Sequence, residues 1–352
     1  MGAQAESLPV CITHSPSSTC MHSAPTRAPL PLPFRLLRVG SCTHREAVAM
    51  QGAPWRIIRF PTLVGVIRHP TQGVILYDTG YSGHFRDATK RLPERIYRWM
   101  TPVHLPAHEV LTTQLGNLGI APSDVRRVII SHFHADHIAG LRDFPQARFL
   151  CMRADWDSFR RMGRLQGLGK GFLPALLPRD FEERLEFAED SAEISLPVAL
   201  ASLQQCGPAR DILGDGSLTA IPLPGHSCCQ MGLLLHASRW DGMSGTSDVP
   251  ENAQPVSRTE VVLSSKSAET RDVPAWTFLI SDAAWSIQAL RENRPPHWLA
   301  DSIVHSRSAY LEVFERLSTM VRTSEPKLLP RLVPSHCSAT FNAWSQGDGP
   351  AL

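Results

Sequence analysis

The sequence predicts one large α/β domain built in layers. Three observations lead there: short apolar runs cut by turn residues recur from Phe34 onward, stretches of helical period lie between them, and the best metal-binding residues fall at the ends of apolar runs. The 352 residues leave ample room for a sizeable core, since domains take roughly 100–200 residues. With 35 Lys and Arg against 33 Asp and Glu, the net charge of +2 gives no reason to expect a nucleic-acid partner. No apolar run approaches the roughly 18 residues of a spanning helix, so no membrane partner is expected either.

The elements follow in chain order. Residues 1–32 mix Ser, Thr, Pro, Cys and His without periodicity and are expected to be a disordered tail. They lack the basic start and apolar core of an export signal, and the eight cysteines contain no CxxC, so a reducing, cytoplasmic location is expected. The domain is read over 33–337. Arg35 to Val39, Arg56 to Phe60, Leu63 to Ile67 and Gly73 to Tyr77 read as strands. The last two form a hairpin across His69-Pro70-Thr71-Gln72-Gly73 and end in Asp78-Thr79-Gly80. Residues 84–120 read as an irregular helical cap, and Val125 to Ile130 as a buried strand. Phe149 to Met152 is a further strand and Ala154 to Arg164 a helix. Glycines and prolines forbid one long helix over 165–190, so 153–190 becomes a second cap segment. Its stretch Phe172 to Leu177 caps a ligand, closes a homodimer contact or packs within the chain. Leu218 to Leu223, Met231 to His236, Thr277 to Ser281 and Leu328 to Val333 read as strands, Ser308 to Arg322 as a helix, 238–274 as an exposed insertion and 338–352 as a C-terminal tail.

The chemistry is concentrated in His132-Phe133-His134-Ala135-Asp136-His137, directly after a predicted strand. At this composition HxHxDH arises by chance in roughly one chain in a thousand, so the cluster is read as ligands and not as surface histidines. His132 and His134 can converge on one ion, while Asp136 and His137, beyond a turn, reach a second. Three more ligands stand at strand ends: His226 in Pro-Gly-His-Ser, Asp282 in Ser-Asp-Ala and His336 in Pro-Ser-His. A carboxylate can share its oxygens between two cations where a His fills one site, so Asp282 is the expected bridge.

The order Asp78-Thr79-Gly80, HxHxDH, Pro224-Gly225-His226-Ser227, Ser281-Asp282-Ala283 and Ser335-His336 resembles the metallo-β-lactamase-fold hydrolase superfamily over residues 34–337. That resemblance implies an αββα four-layer sandwich with a dinuclear zinc centre at one edge. It implies His132, His134 and His226 on one zinc, Asp136, His137 and His336 on the other, and Asp282 between them, with Fe²⁺ or Mn²⁺ as alternative metals. Asp78 would support the site from behind the ligands. A bridging hydroxide between ions about 3.5–4 Å apart would attack an ester, lactone or thioester of a small-molecule substrate. Asp136 or Asp282 would carry the proton, Asp282 being preferred. Lactonases that open N-acyl homoserine lactones are closest in layout. They carry a Tyr three residues after the bridging Asp, where this chain has Trp285, whose indole cannot act as a phenol. Phe133 and Trp285 are the candidates for the substrate pocket. Two other readings stay open: a persulfide dioxygenase-like protein with one Fe(II), and a metal-retaining binding protein without turnover.

Overall fold

A computed structural model describes residues 30–240, 276–325 and 329–346. Nearly all of the expected N-terminal tail, residues 241–274 of the expected insertion and the last six residues lie outside that range. The N-terminal half supplies β1 (Leu32–Arg45), β2 (Ile57–His69), β3 (Gly73–Tyr77), β4 (Val103–His104), β5 (Val125–Ile129), β6 (Arg148–Cys151) and β7 (Leu185–Phe187). They form a mixed sheet in the order β7-β6-β5-β3-β2-β1, with β4 against β1. The C-terminal half supplies β8 (Ala192–Ile194), β9 (Ala209–Asp211), β10 (Leu218–Leu223), β11 (Gln230–Ser238), β12 (Trp276–Ser281) and β13 (Arg331–Pro334), paired in that order. A short parallel contact of Leu32 and Pro33 with Ala237 and Ser238 joins the two sheets.

The period-2 pleat sorts the apolar residues into three cores, and three cores mean four layers. Leu63, Ile67, Ile75, Tyr77 and Ile129 point between the sheets and meet Leu218, Met231, Leu233 and Leu279. Their neighbours Val64, Val66, Leu76 and Val128 point outward under the helices of the first half. On the second sheet, Ile221, Leu223, Leu234, Phe278 and Ile280 point outward onto Tyr310, Val313, Phe314 and Leu317. These come from helix Arg307–Thr323, whose first turn is capped by Ser306 accepting from Ala309 N. The architecture is the α/β, helix–sheet–sheet–helix arrangement expected.

Two differences from the sequence reading have physical causes. Arg56 to Phe60 and Leu63 to Ile67 are one strand, because Pro61 pairs with Ser41 where β1 shifts register between Arg38 and Ser41. A proline is tolerated at such a bulge, since the ladder there needs no N–H. The stretch 338–352, expected to be a tail, contains helix Ser338–Ser345. Its Trp344 ring meets Phe34 edge-on at 4.9 Å, and the Arg331 guanidinium lies over the same indole.

Candidate metal centre

Both sheets end at one edge in loops that carry the predicted ligands. β3 delivers Asp78, which adopts a left-handed backbone at φ 62° and is fully buried. Its carboxylate accepts from Ser131 N and Ser131 Oγ at 2.8 Å and from His137 Nδ1 at 2.7 Å. Asp78 therefore fixes both the start of the His132–His137 loop and the ring at its end. Gly80 is required beside it: a Cβ there, at φ 65°, would lie 2.4 Å from Val39 Cβ. From the second sheet, Met231 N donates to Ser131 O and Ser281 Oγ donates to Ser131 Oγ, tying β11 and β12 to the same loop.

The seven predicted residues converge. The ligand atoms of His132, His134 and His226 lie within 4.8 Å of one another; so do those of His132, His137 and Asp282, and those of Asp136, His137 and His336. His226 Nε2 is 3.0 Å from His134 Nδ1 and 3.3 Å from Asp282 Oδ2, and His336 Nε2 is 3.1 Å from Asp282 Oδ2. His226 rides on the loop after β10. Its Gly225, at φ 127°, leaves no room for a Cβ, which would stand 2.2 Å from Tyr310 N. His336 Nδ1 donates to Pro61 O, so the β2 carbonyl opposite the β1 bulge orients a candidate ligand from the other sheet.

The chemistry of these donors fits a pair of divalent cations. Among the described residues, Nε2 of His132, Nε2 of His137 and Oδ1 of Asp282 are buried without a hydrogen-bond partner, and all three face the shared space. Buried polar atoms are rarely left unpaired without a reason. Burial first, then the neighbouring imidazoles, hold His132 well below its ordinary value. Burial is also the main cause that takes His134 and His226 down to about 3, leaving their lone pairs free to ligate. Burial opposes charge on Asp282, but His336, His137 and His226 outweigh it and keep the carboxyl well below the usual carboxylate range. Five imidazoles and two carboxylates, with no thiolate, form an N/O donor set suited to zinc, iron or manganese.

Above the centre opens a cavity of about 550 Å³, whose lining includes His134, Asp136, Asp282 and His336. Most of the wall is apolar, with Val48, Phe60, Ile96, Met100, Leu168 and Ile303 prominent. Trp285 lines it and donates from Nε1 to Asp282 Oδ2 at 3.0 Å, so it both walls the cavity and holds the central carboxylate. Phe133, the other residue expected in the pocket, is not there. It is fully buried against Trp156, Phe159, Phe172 and Phe181, because a residue between two converging histidines points the opposite way, into the core beneath. Within 172–177, Phe172, Leu173 and Leu176 join this packing within the chain.

Sequence reasoning missed two residues. Tyr97, on helix Glu94–Met100, lines the cavity with its hydroxyl beside Gly171, next to the His134 ring. Other polar groups of the lining are engaged: Thr101 with His44, Tyr81 with Cys42, Arg45 with Trp55 O, Ser302 with Leu299 O and Trp285 with Asp282. The Tyr97 hydroxyl has no hydrogen-bond partner among the described residues. Burial, then the charges of Asp136, Cys42 and Asp282, raise its pKa well above the ordinary value, so it remains a donor. Asp155, fully enclosed under the site, accepts from Cys229 N at 3.2 Å with Ser227 and the amide of Phe133 facing it, so it stands under both ligand loops. Burial pushes its carboxyl up to about 6. No motif marks either residue.

A family model described as the metallo-beta-lactamase superfamily matches residues 57–239. A protein of Mycobacterium tuberculosis, named as a probable metallo-hydrolase, is 37% identical over 76 residues, 21% of this chain and 24% of that protein. The N-acyl homoserine lactonase AttM of Rhizobium radiobacter is 23% identical over 188 residues, 52% of this chain. The alignments thus span about a quarter of the mycobacterial protein and 59% of AttM. Among solved structures, an N-acyl homoserine lactone hydrolase with N-hexanoyl-L-homoserine at its catalytic metal centre superposes with a TM-score of 0.57 at 13% identity. That match covers 89% of this chain and 97% of the other. A dizinc quorum-quenching lactonase superposes with a TM-score of 0.52 at 12% identity, covering 88% and 91%.

Proposed function

We propose that this chain, which belongs to the metallo-beta-lactamase superfamily, is a hydrolase of esters, lactones or thioesters that works with two zinc ions. The observation that carries the reading is the convergence of orphaned donor atoms from His132, His137 and Asp282 on the floor of an apolar cavity. His132, His134 and His226 would hold one cation, Asp136, His137 and His336 the other, with Asp282 shared. A cation pair there supplies a water nucleophile that ionises near neutral pH and a Lewis acid for the substrate carbonyl.

The protein's own groups do the rest. Asp78 keeps the His137 ring oriented through Nδ1, as a carboxylate behind a ligating imidazole does. Trp285 fixes Oδ2 of Asp282 and leaves Oδ1 facing the reaction space, where it accepts the proton of the attacking water. Asp282 then passes that proton to the departing oxygen or sulfur, and Asp136, on the cavity wall, is the alternative carrier. Tyr97 is positioned to donate to the carbonyl oxygen as charge builds on it. The apolar walls favour substrates with a hydrocarbon or aromatic tail. Relatives named as N-acyl homoserine lactonases make lactones the first class to try.

A single-iron reading would use one lobe of the cluster and leave the orphaned atoms of the other without a role. Elemental analysis of protein purified without added metal separates the two, about two zinc per chain being expected. Lactone, thioester and phosphodiester hydrolysis is then compared in the parent and in His134→Ala. Full activity in that variant would remove the metal centre from the reaction, and no turnover of any class by zinc-loaded protein would leave a binding protein.

A further inference from the structure

Of the eleven large apolar side chains exposed among the described residues, four line the cavity and five more lie on the chain segments that carry lining residues. Ile96, Met100, Leu165 and Leu299 line the mouth. Trp298 precedes Leu299, and Trp55 meets the His297 ring at 5.5 Å. The carbonyl of Trp55 accepts from Arg45, a lining residue whose partner across the β1–β2 ladder is Ile57. Trp99 stands on helix Glu94–Met100 and Leu92 just before it, and this helix, which carries the lining residues Ile96, Tyr97 and Met100, leaves all its residues at least partly exposed. Trp99 and Trp298 are 61% and 66% exposed, so the described residues leave this surface uncovered. Exposed apolar side chains gathered around one opening mark a contact surface.

The segment that carries the helical side of the mouth is net positive. Residues 86–100 hold five basic and two acidic residues in a chain whose net charge is only +2. Both acids are engaged, Asp87 by Lys90 and Glu94 by Arg164. Arg91 and Arg98 have no acidic partner among the described residues, and the Arg95 guanidinium lies 5.2 Å over Trp99. Exposed indoles and aliphatic tips ringed by arginines suit the boundary between water and an anionic lipid surface. Indoles sit there at headgroup depth, alkyl groups enter the acyl layer, and guanidinium groups meet phosphate. A second copy of the chain would bring the same positive rim against this one.

No helix among the described residues is long and apolar enough to cross a membrane, and the contact inferred here is made by surface side chains. The expectation of no membrane partner came from the lack of a spanning run, which says nothing about a surface rim. We propose that this rim docks on an anionic bilayer and turns the cavity mouth toward the lipid, so that a substrate with an apolar tail enters from the membrane. The substrate clause rests on the hydrolase reading; the docking does not.

The test is flotation of the full metal-loaded chain with phosphatidylcholine vesicles made with and without phosphatidylglycerol. Binding is expected to the mixed vesicles. It should weaken about tenfold or more in high salt, in the double variant Arg91→Glu with Arg95→Glu, and in the double variant Trp99→Ser with Trp298→Ser. Melting temperature and turnover of a short water-soluble ester should stay at parent values in both variants. Absence of binding to the mixed vesicles overturns the proposal, as does binding that none of these changes weakens. Sedimentation velocity showing a dimer that the tryptophan variant dissociates also overturns it, and assigns the face to a second copy. Ester hydrolysis absent from every sample while vesicle binding persists counts against the hydrolase reading alone.

Discussion

Trp285 sits where a phenol would be expected from the lactonase layout, and its single N–H is already given to Asp282 Oδ2. A hydrogen bond to a charged carboxylate contributes roughly 1.5–3 kcal/mol, and here that energy goes into orienting the carboxylate proposed as the shared ligand. Trp285→Phe keeps the wall and removes the N–H. Zinc affinity, read by competition with a chromogenic chelator, should fall about 10- to 100-fold; an unchanged affinity would reduce Trp285 to a wall residue. Donation to the substrate then falls to Tyr97, the cavity-lining hydroxyl without a partner. Tyr97→Phe should lower kcat about 100-fold with KM nearly constant and metal content intact. A change confined to KM would mean that the hydroxyl binds the ground state and does not assist the reaction.

The loops and strand ends carry the site's precision, and they were unevenly legible. HxHxDH and the residues after β10, β12 and β13 could be read because ligand chemistry is local and each follows an apolar run. Trp285 was visible as a substitution, but its bond to Asp282 was not. Tyr97 and Asp155 were invisible, because their roles exist only once distant segments meet. The split at Pro61 came from treating proline as a strand breaker, when a bulge in the partner strand removes the conflict. Gly225→Ala tests the loop under His226: the clash with Tyr310 N and the positive φ should cost on the order of 3–5 kcal/mol. That would appear as a large fall in melting temperature with loss of metal; parent-like values would show that the loop adapts. Asp155 gives a pH signature. An unfolded Asp titrates near 3.9, roughly, and folded Asp155 near about 6. Its stabilising contribution is therefore fully present below the unfolded value and is lost as pH rises through the folded one. Relative to Asp155→Asn, the parent should gain about 1.4 kcal/mol between pH 7 and pH 5. A stability gap that does not change over that range would remove the buried-acid account.

At the scale of the whole molecule, the two sheets are held by the apolar core between them and, at one edge, by the ligand-bearing loops. The direct sheet-to-sheet strand pairing is two residues long and lies at Leu32 and Pro33, on strands whose other ends reach the site. At the ligand edge the halves are joined by Met231 to Ser131, Ser281 to Ser131, Pro61 to His336, and the ligand set itself, which draws His132, His134, Asp136 and His137 from the first half and His226, Asp282 and His336 from the second. Cations shared between these groups would act as a clasp, and their loss leaves buried donors facing one another. A ligand present at about a thousandfold over its dissociation constant stabilises the folded state by about 4 kcal/mol. For a domain of this size that corresponds to a shift on the order of 5–10 °C. Chelation should therefore lower the melting temperature by that amount, with full recovery on adding zinc. Asp282→Ala, which takes away the group common to both halves of the ligand set, should make the protein insensitive to the chelator, because little metal remains to remove. A chelator effect of parent size in that variant would show that the clasp does not depend on Asp282.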